Sequence, residues 1–223
     1  MSTTTLPIAK AITLGLRDAM RADDRVMMMG EDIGVLGGVF RVTDGLHAEF
    51  GDLRVVDTPL AEAAIVGTAV GLAVRGYRPV VEIQFDGFVF PAFSQITTQV
   101  AKMHNRTKGR VRMPIVIRIP HGGGIGAIEQ HSESPEALFA HTAGLRILAP
   151  ADSQDAYWMT RQAIETDDPV IMLEPKRRYW LKGDVDPDQR PELSPWHARV
   201  RRPGTDATLL AWGPSVPLAM ESA

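Results

Sequence analysis

Two apolar rhythms alternate along most of the chain. Ile8, Ala11, Ile12, Leu16 and Ala19 recur at three- and four-residue steps, which predicts an amphipathic helix over residues 7–20. Val26, Met27, Met28 and Met29 form a continuous apolar run closed by Gly30, the pattern of a strand buried on both faces. The alternation continues, with helices predicted over 43–50, 58–74, 91–105, 134–140 and 153–166. Strands are predicted over 53–56, 78–85, 113–119, 145–148 and 170–173. Short apolar strands separated by helices specify the α/β class, here a doubly wound, mostly parallel sheet with helices on both faces. Ligands of such sheets bind at the carboxyl ends of the strands, where strand order reverses. The loops after Met29, Val56, Phe85 and Ile119 are therefore the places to look for function.

Beyond residue 180 the rhythm fails. Pro187, Pro191, Pro195 and Pro203 stand among many charges, so residues 181–206 read as an extended linker behind a first domain of residues 1–180. Residues 208–212 restart a strand, followed by Gly213 and a helix-like segment. One strand and part of a helix cannot bury a core, so residues 207–223 are expected to begin a second, truncated α/β domain.

Composition narrows the function. A chain of 223 residues, 44% hydrophobic and 23% charged, is ordinary globular protein with a core of useful size. A net charge of −3 gives no footprint for nucleic acid, and the one basic cluster, Lys176-Arg177-Arg178, is too short for a polybasic tract. Cysteine is absent, which excludes disulfides and thiolate metal sites and favours a cytoplasmic location. Lys10, Arg17 and Asp18 interrupt the first apolar stretch, so it does not read as a secretory signal. No run approaches the ~18 apolar residues that a membrane span needs.

Glu62 is the most informative residue. It stands at the head of a helix that is otherwise apolar from Ala63 to Val74 and therefore expected to be buried on most sides. One reading is an exposed first-turn acid favoured by the helix dipole. The other is a desolvated carboxylate with a raised pKa, able to share a proton with a ligand. Gly67 and Gly71 on the same helix suggest close packing. The run Gly122-Gly123-Gly124-Ile125-Gly126 lacks the Lys-Ser/Thr of a phosphate loop and reads as a flexible or close-approach loop. His131 follows it, either as a solvated loop residue or as a proton-transfer group beside a strand end. Phe85, Phe88, Phe90 and Phe93 are crowded into nine residues, as core packing or as an aromatic wall for a flat heterocycle. No histidine pair has zinc-ligand spacing.

These segments resemble one family, the beta subunits of the thiamine-diphosphate-dependent 2-oxo acid dehydrogenases that act on branched-chain 2-oxo acids or pyruvate. The resemblance is carried by Gly30-Glu31-Asp32-Ile33-Gly34, by Asp57-Thr58-Pro59-Leu60-Ala61-Glu62 and by Glu82-Ile83-Gln84-Phe85-Asp86-Gly87-Phe88. Gln130-His131-Ser132 and Glu174-Pro175-Lys176 follow in the same order. It covers the chain from about Leu6 onward, and several separated motifs in order make chance a poor explanation.

The resemblance implies a transketolase-like pyrimidine-binding domain, with thiamine diphosphate held between this subunit and an alpha subunit that supplies the magnesium site. It implies that Glu62 contacts the aminopyrimidine nitrogen and favours the imino tautomer through which the thiazolium carbon loses its proton. Phe88 and Leu60 would pack on the pyrimidine, with Gln84 at the same strand end. His131 would handle protons around the bound intermediate and the incoming lipoyl group. Ile115, Ala163, Thr166 and Asp168 correspond to a structural potassium site of some members. The implied assembly pairs two alpha with two beta subunits and feeds a lipoyl-bearing acyltransferase. Branched-chain 2-oxo acids are the first expected substrate and pyruvate the second. A single-chain transketolase relative is disfavoured, because the Gly-Asp-Gly and Asn diphosphate motif is missing. A non-catalytic structural or regulatory subunit is the remaining alternative.

Overall fold

The computed structural model describes residues 3–223. Its centre is a six-stranded parallel sheet of β2 (Val26–Gly30), β3 (Val55–Asp57), β4 (Arg78–Glu82), β5 (Val116–His121), β6 (Arg146–Leu148) and β7 (Val170–Pro175), in the order β3-β2-β4-β5-β7-β6. The helices between them are α1 (Ile8–Ala22), α2 (Leu46–Phe50), α3 (Glu62–Val74), α4 (Met103–Arg106), α5 (Glu136–Ala140) and α6 (Ser153–Glu165), with α7 (Val216–Ser222) last. The expected α/β class and doubly wound sheet are therefore present.

Alternation along each strand divides the core. Val80, Val116, Val170 and Met172 face one layer with α1 and α6, where Ile8, Ile12, Leu16, Tyr157 and Ile164 are buried. Val81, Ile117, Ile171 and Leu173 face the other, with Ile65, Val66 and Ala69 of α3 and with Ile96, Val100 and Phe139. A strand buried on both faces cannot show a polar period, which is why these strands read as continuous apolar runs. Burial of a side chain such as Ile12 or Ile117 stabilises by roughly 1.5–3 kcal/mol each.

Three segments differ from the sequence expectation. The first strand, β1 (Thr4–Pro7), was not expected; it pairs antiparallel with β8 (Lys182–Val185), inside the stretch read as linker. These strands carry one or two apolar residues each, too few for a period to register. Residues 91–105 are not one α-helix. The chain makes 3₁₀ turns over Asp86–Ala92 and a π-type turn over Gln95–Val100 before α4. The Thr97 and Thr98 hydroxyls donate to Phe93 O and Ser94 O, and Ala101 N reaches back to Ile96 O, a widening of the helix that hydroxyl back-bonding favours. Residues 208–212 form no strand; Leu209 and Leu210 are exposed and find no neighbour to pair with. No helix among the described residues is long and apolar enough to cross a membrane.

Candidate active site

Strand order reverses beside β2: β3 lies on one side of it and β4 on the other, the topology that opens a crevice at the carboxyl edge. Gly30 ends β2 where a Cβ would stand 3.0 Å from Glu82 O and 3.1 Å from Ile33 Cγ2, a close approach that favours glycine. Asp32 then adopts a left-handed turn, φ 58°, which aspartate tolerates. Gln84 Nε2, from the end of β4, donates to Glu31 O at 3.3 Å and to Asp32 Oδ2 at 3.0 Å, tying the two strand ends together.

Glu62 is the first residue of α3 and is buried, only 7% exposed. Helix α3 begins at Glu62 rather than at Thr58, and no side chain caps it; Ala64 N and Ile65 N return to Ala61 O. Glu31 is buried nearby. Its burial pushes its carboxyl above the ordinary range, and the charges of Glu62 and Asp32 push it further. Thr58 N donates to Gly30 O, while Thr58 Oγ1 is buried with no partner among the described residues.

An aromatic group completes the edge. The His131 ring stands edge-on to Phe85 at 4.4 Å and to Phe88 at 5.1 Å, and those two rings meet each other at 5.5 Å. His131 Nδ1 is buried and has no hydrogen-bond partner among the described residues. The loop leading to it uses Gly122, Gly124 and Gly126 at φ of 87°, 88° and 77°, backbone that strains any L side chain. Phe93 packs on Phe139 and Phe90 points outward, so the phenylalanine cluster divides between site, core and surface.

Below this edge lies a second buried polar group. Arg118, fully buried on β5, donates from Nε and Nη2 to both oxygens of Glu174 at 2.6 and 2.8 Å and from Nη1 to Glu82 at 2.6 Å. The Tyr179 hydroxyl donates to Glu174 at 2.6 Å. Burial pushes the Glu82 carboxyl up against the pull of Arg118, with the Glu174 charge adding to the rise. Burial, and then the charge of Glu174, hold the Tyr179 hydroxyl well above its usual range.

Of the residues singled out in the sequence, Glu62, Gln84, Phe88 and His131 all lie at this carboxyl edge. Leu60 lies in the loop before α3 and is 80% exposed, left uncovered by the described residues. Ile115, Ala163, Thr166 and Asp168 lie at the opposite, amino edge. There Ile115 O accepts from Val170 N and Thr166 O from the Arg78 guanidinium, while the Asp168 carboxylate meets Arg146 Nε at 2.8 Å. Glu31, Asp86 and Lys176 were not singled out as site residues. Lys176 sits in the short basic triplet and is buried while Arg177 is exposed, and no local pattern distinguishes the two.

Residues 4–180 match the family described as the transketolase pyrimidine-binding domain. The chain is 65% identical over 219 residues to a pyruvate dehydrogenase E1 component subunit beta of Leifsonia xyli, covering 98% of this chain and 64% of that one. It is 55% identical over 221 residues to a 3-methyl-2-oxobutanoate dehydrogenase subunit beta of Mycobacterium tuberculosis, covering 99% and 63%. The chain thus spans a little under two thirds of these relatives' length. Among solved structures, a split-gene transketolase described as an inactive beta4 tetramer matches with a TM-score of 0.66 at 20% identity, over 84% of this chain and 56% of that one, which speaks for the fold. The chain belongs to the transketolase pyrimidine-binding domain family, in the group formed by the beta subunits of 2-oxo acid dehydrogenases.

Proposed function

We propose that this chain is the pyrimidine-binding part of a dehydrogenase that, with an alpha subunit, carries out thiamine-diphosphate-dependent oxidative decarboxylation of a 2-oxo acid and reductive acylation of a lipoyl group. The observation that carries the reading is the pairing, on one sheet edge, of a buried helix-head carboxylate with an aromatic–histidine cluster that leaves Nδ1 of His131 unpartnered. A flat heterocycle with ring nitrogens suits that set: rings to pack on, a carboxyl to share a proton, and buried polar atoms seeking partners.

When bound, thiamine diphosphate supplies the electron sink for loss of carbon dioxide. Glu62 would hold a proton toward the pyrimidine nitrogen. Phe85 and Phe88 keep water from the pyrimidine face. His131 gives and takes a proton at the reacting end. Gln84 fixes the loop of residues 31–32 through its two donations. Leu60 is the apolar contact that the alpha subunit and the cofactor would cover. Magnesium is assigned to the alpha subunit, and a second beta subunit and a lipoyl-bearing acyltransferase complete the assembly.

Branched-chain 2-oxo acids are kept as first substrate and pyruvate as second; the names of the two relatives divide between these classes, and one methylene is worth only about 1–3 kcal/mol of discrimination. A potassium ion among Ile115, Ala163, Thr166 and Asp168 would share the Thr166 carbonyl with Arg78, so it would face a positive charge already in place. Unfolding temperature measured in potassium against sodium tests that site; equal values would remove it.

The deciding assay is reduction of an artificial acceptor by the full subunit with its alpha partner, thiamine diphosphate and magnesium, comparing pyruvate with the branched-chain 2-oxo acids. Turnover that requires both chains is expected. A stable complex without turnover on any of them would favour the non-catalytic subunit.

A further inference from the structure

We propose that the buried Lys176–Asp86 pair is a positioning element that sets His131 against Phe85 and Phe88. The inference rests on the reading of His131 given above. Lys176 Nζ donates to Asp86 Oδ2 at 2.6 Å, with both side chains fully buried. The same oxygen accepts from Gly122 N at 2.9 Å, and Asp86 Oδ1 accepts from Gly87 N at 3.1 Å. One carboxylate therefore joins the loops that follow β4, β5 and β7.

The loop after β5 is the one that carries His131. Its first residue, Gly122, is held by Asp86 and by Glu133 O, so both ends of the segment 122–133 are pinned at one point. Gly87 supplies the second contact. A Cβ there would collide with Gln130 O and stand 2.8 Å from Gln130 Cα, so the backbone beside Asp86 lies directly against the residue that precedes His131. Lys176 Nζ is also 5.9 Å from the Phe85 ring centroid, the ring that His131 meets edge-on. The pair thus reaches the Phe85 ring and the backbone on either side of the histidine's loop, and hydrogen-bonds none of its nitrogens.

A buried ion pair is weak evidence for stability, because desolvation offsets its attraction; its attested use is to fix one arrangement over others. Burial lowers the Lys176 ammonium, and the hydrogen bond to Asp86 works against that, so the charge of the pair depends on both partners being in place.

The test uses the full subunit assembled with its alpha partner and compares Lys176→Met, His131→Asn and the double variant. Lys176→Met is expected to lower kcat about 100-fold, the cost of a small misplacement of a reacting group, while KM and calorimetric cofactor affinity stay within about threefold. The double variant is expected to lose no more than His131→Asn alone, since the lysine acts through the histidine. Multiplying losses would overturn the proposal and make Lys176 an independent structural element. Asp86→Asn, which removes the carboxylate that Lys176 meets and keeps an acceptor for Gly122 N and Gly87 N, is expected to give the same pattern and carries the test if Lys176→Met does not fold. Hydrogen exchange separates this inference from the one beneath it. Faster exchange over residues 122–131, with α3 unchanged, supports positioning even if His131→Asn proves fully active and the histidine's catalytic role falls. Unchanged exchange in both variants would refute positioning.

Discussion

Arg118 and His131 are both drawn into the carboxyl edge of the same sheet, yet their surroundings are built on opposite terms. Around Arg118 three guanidinium nitrogens, two carboxylates and a tyrosine hydroxyl are joined by four hydrogen bonds of 2.6–2.8 Å. Around His131 and Thr58, buried polar atoms stand without partners among the described residues. A satisfied polar network rigidifies and specifies an arrangement, whereas an unsatisfied one costs free energy until something completes it. The first group therefore belongs to the fold, and the second is the one we propose for a ligand. The two are only a few residues apart on each strand: Glu82 and Gln84 on and after β4, Glu174 and Lys176 on and after β7.

The comparison breaks most sharply at Arg118. Arg118→Met leaves two carboxylates buried without their cation, and removing one partner of a buried pair costs about 3–5 kcal/mol. Urea unfolding of the subunit should show a loss of that size, or no folded protein at all. A loss below about 1 kcal/mol would mean that water reaches Glu82 and Glu174, and the network would no longer count as closed.

Glu62 should behave in the opposite way. Glu62→Gln keeps the shape and removes the proton-sharing carboxyl, so turnover should fall roughly 100-fold or more while stability changes by less than about 1 kcal/mol. Steady-state kinetics and urea unfolding on the same preparation check both halves. Full activity in this variant would remove Glu62 from the chemistry.

The difference between the two groups also marks how far the sequence could be read. The parallel sheet was legible because its strands hold apolar runs such as Val26–Gly30 and residues 170–173, and strand ends in such a sheet point to the ligand edge. Glu62 could be singled out because it is a lone carboxylate heading an otherwise apolar helix, although an acid in a first turn is also what the helix dipole favours. Arg118, Glu82 and Glu174 were not, since each is one charge on its own strand and only strand register brings them together. Lys176 was hidden for the same reason, beside an exposed Arg177 and a half-buried Arg178. β1 and β8 pair across the whole length of the domain, a contact that no window of neighbouring residues contains.

A smaller effect comes from Glu31, whose carboxyl is raised in the folded protein by its burial and by the charges of Glu62 and Asp32. With its folded pKa above its unfolded one, the folded state binds more protons between the two values, so stability falls as pH rises through them. At neutral pH this carboxylate therefore costs stability. Glu31→Gln should stabilise the cofactor-free subunit at pH 7–8 by up to about 1 kcal/mol, with the gain vanishing toward pH 4. Thermal unfolding across that range checks the sign; a gain that grows at low pH would reverse it.

Thr58 provides the finest test, because its hydroxyl is the smallest polar group left open at the crevice. A buried hydroxyl with no partner has lost its water and gained nothing, so Thr58→Val should leave the cofactor-free subunit unchanged or stabilised by about 0.5–1 kcal/mol. In the assembled, cofactor-loaded complex the same substitution should lower affinity or leave it unaltered, never raise stability by the same amount, because the ligand side then has a use for the hydroxyl. Thermal unfolding with and without thiamine diphosphate reads the two states in one experiment. A loss of about 1 kcal/mol or more in the cofactor-free state would show that Thr58 already has a partner, and the crevice would then resemble the closed network around Arg118 more than an open site.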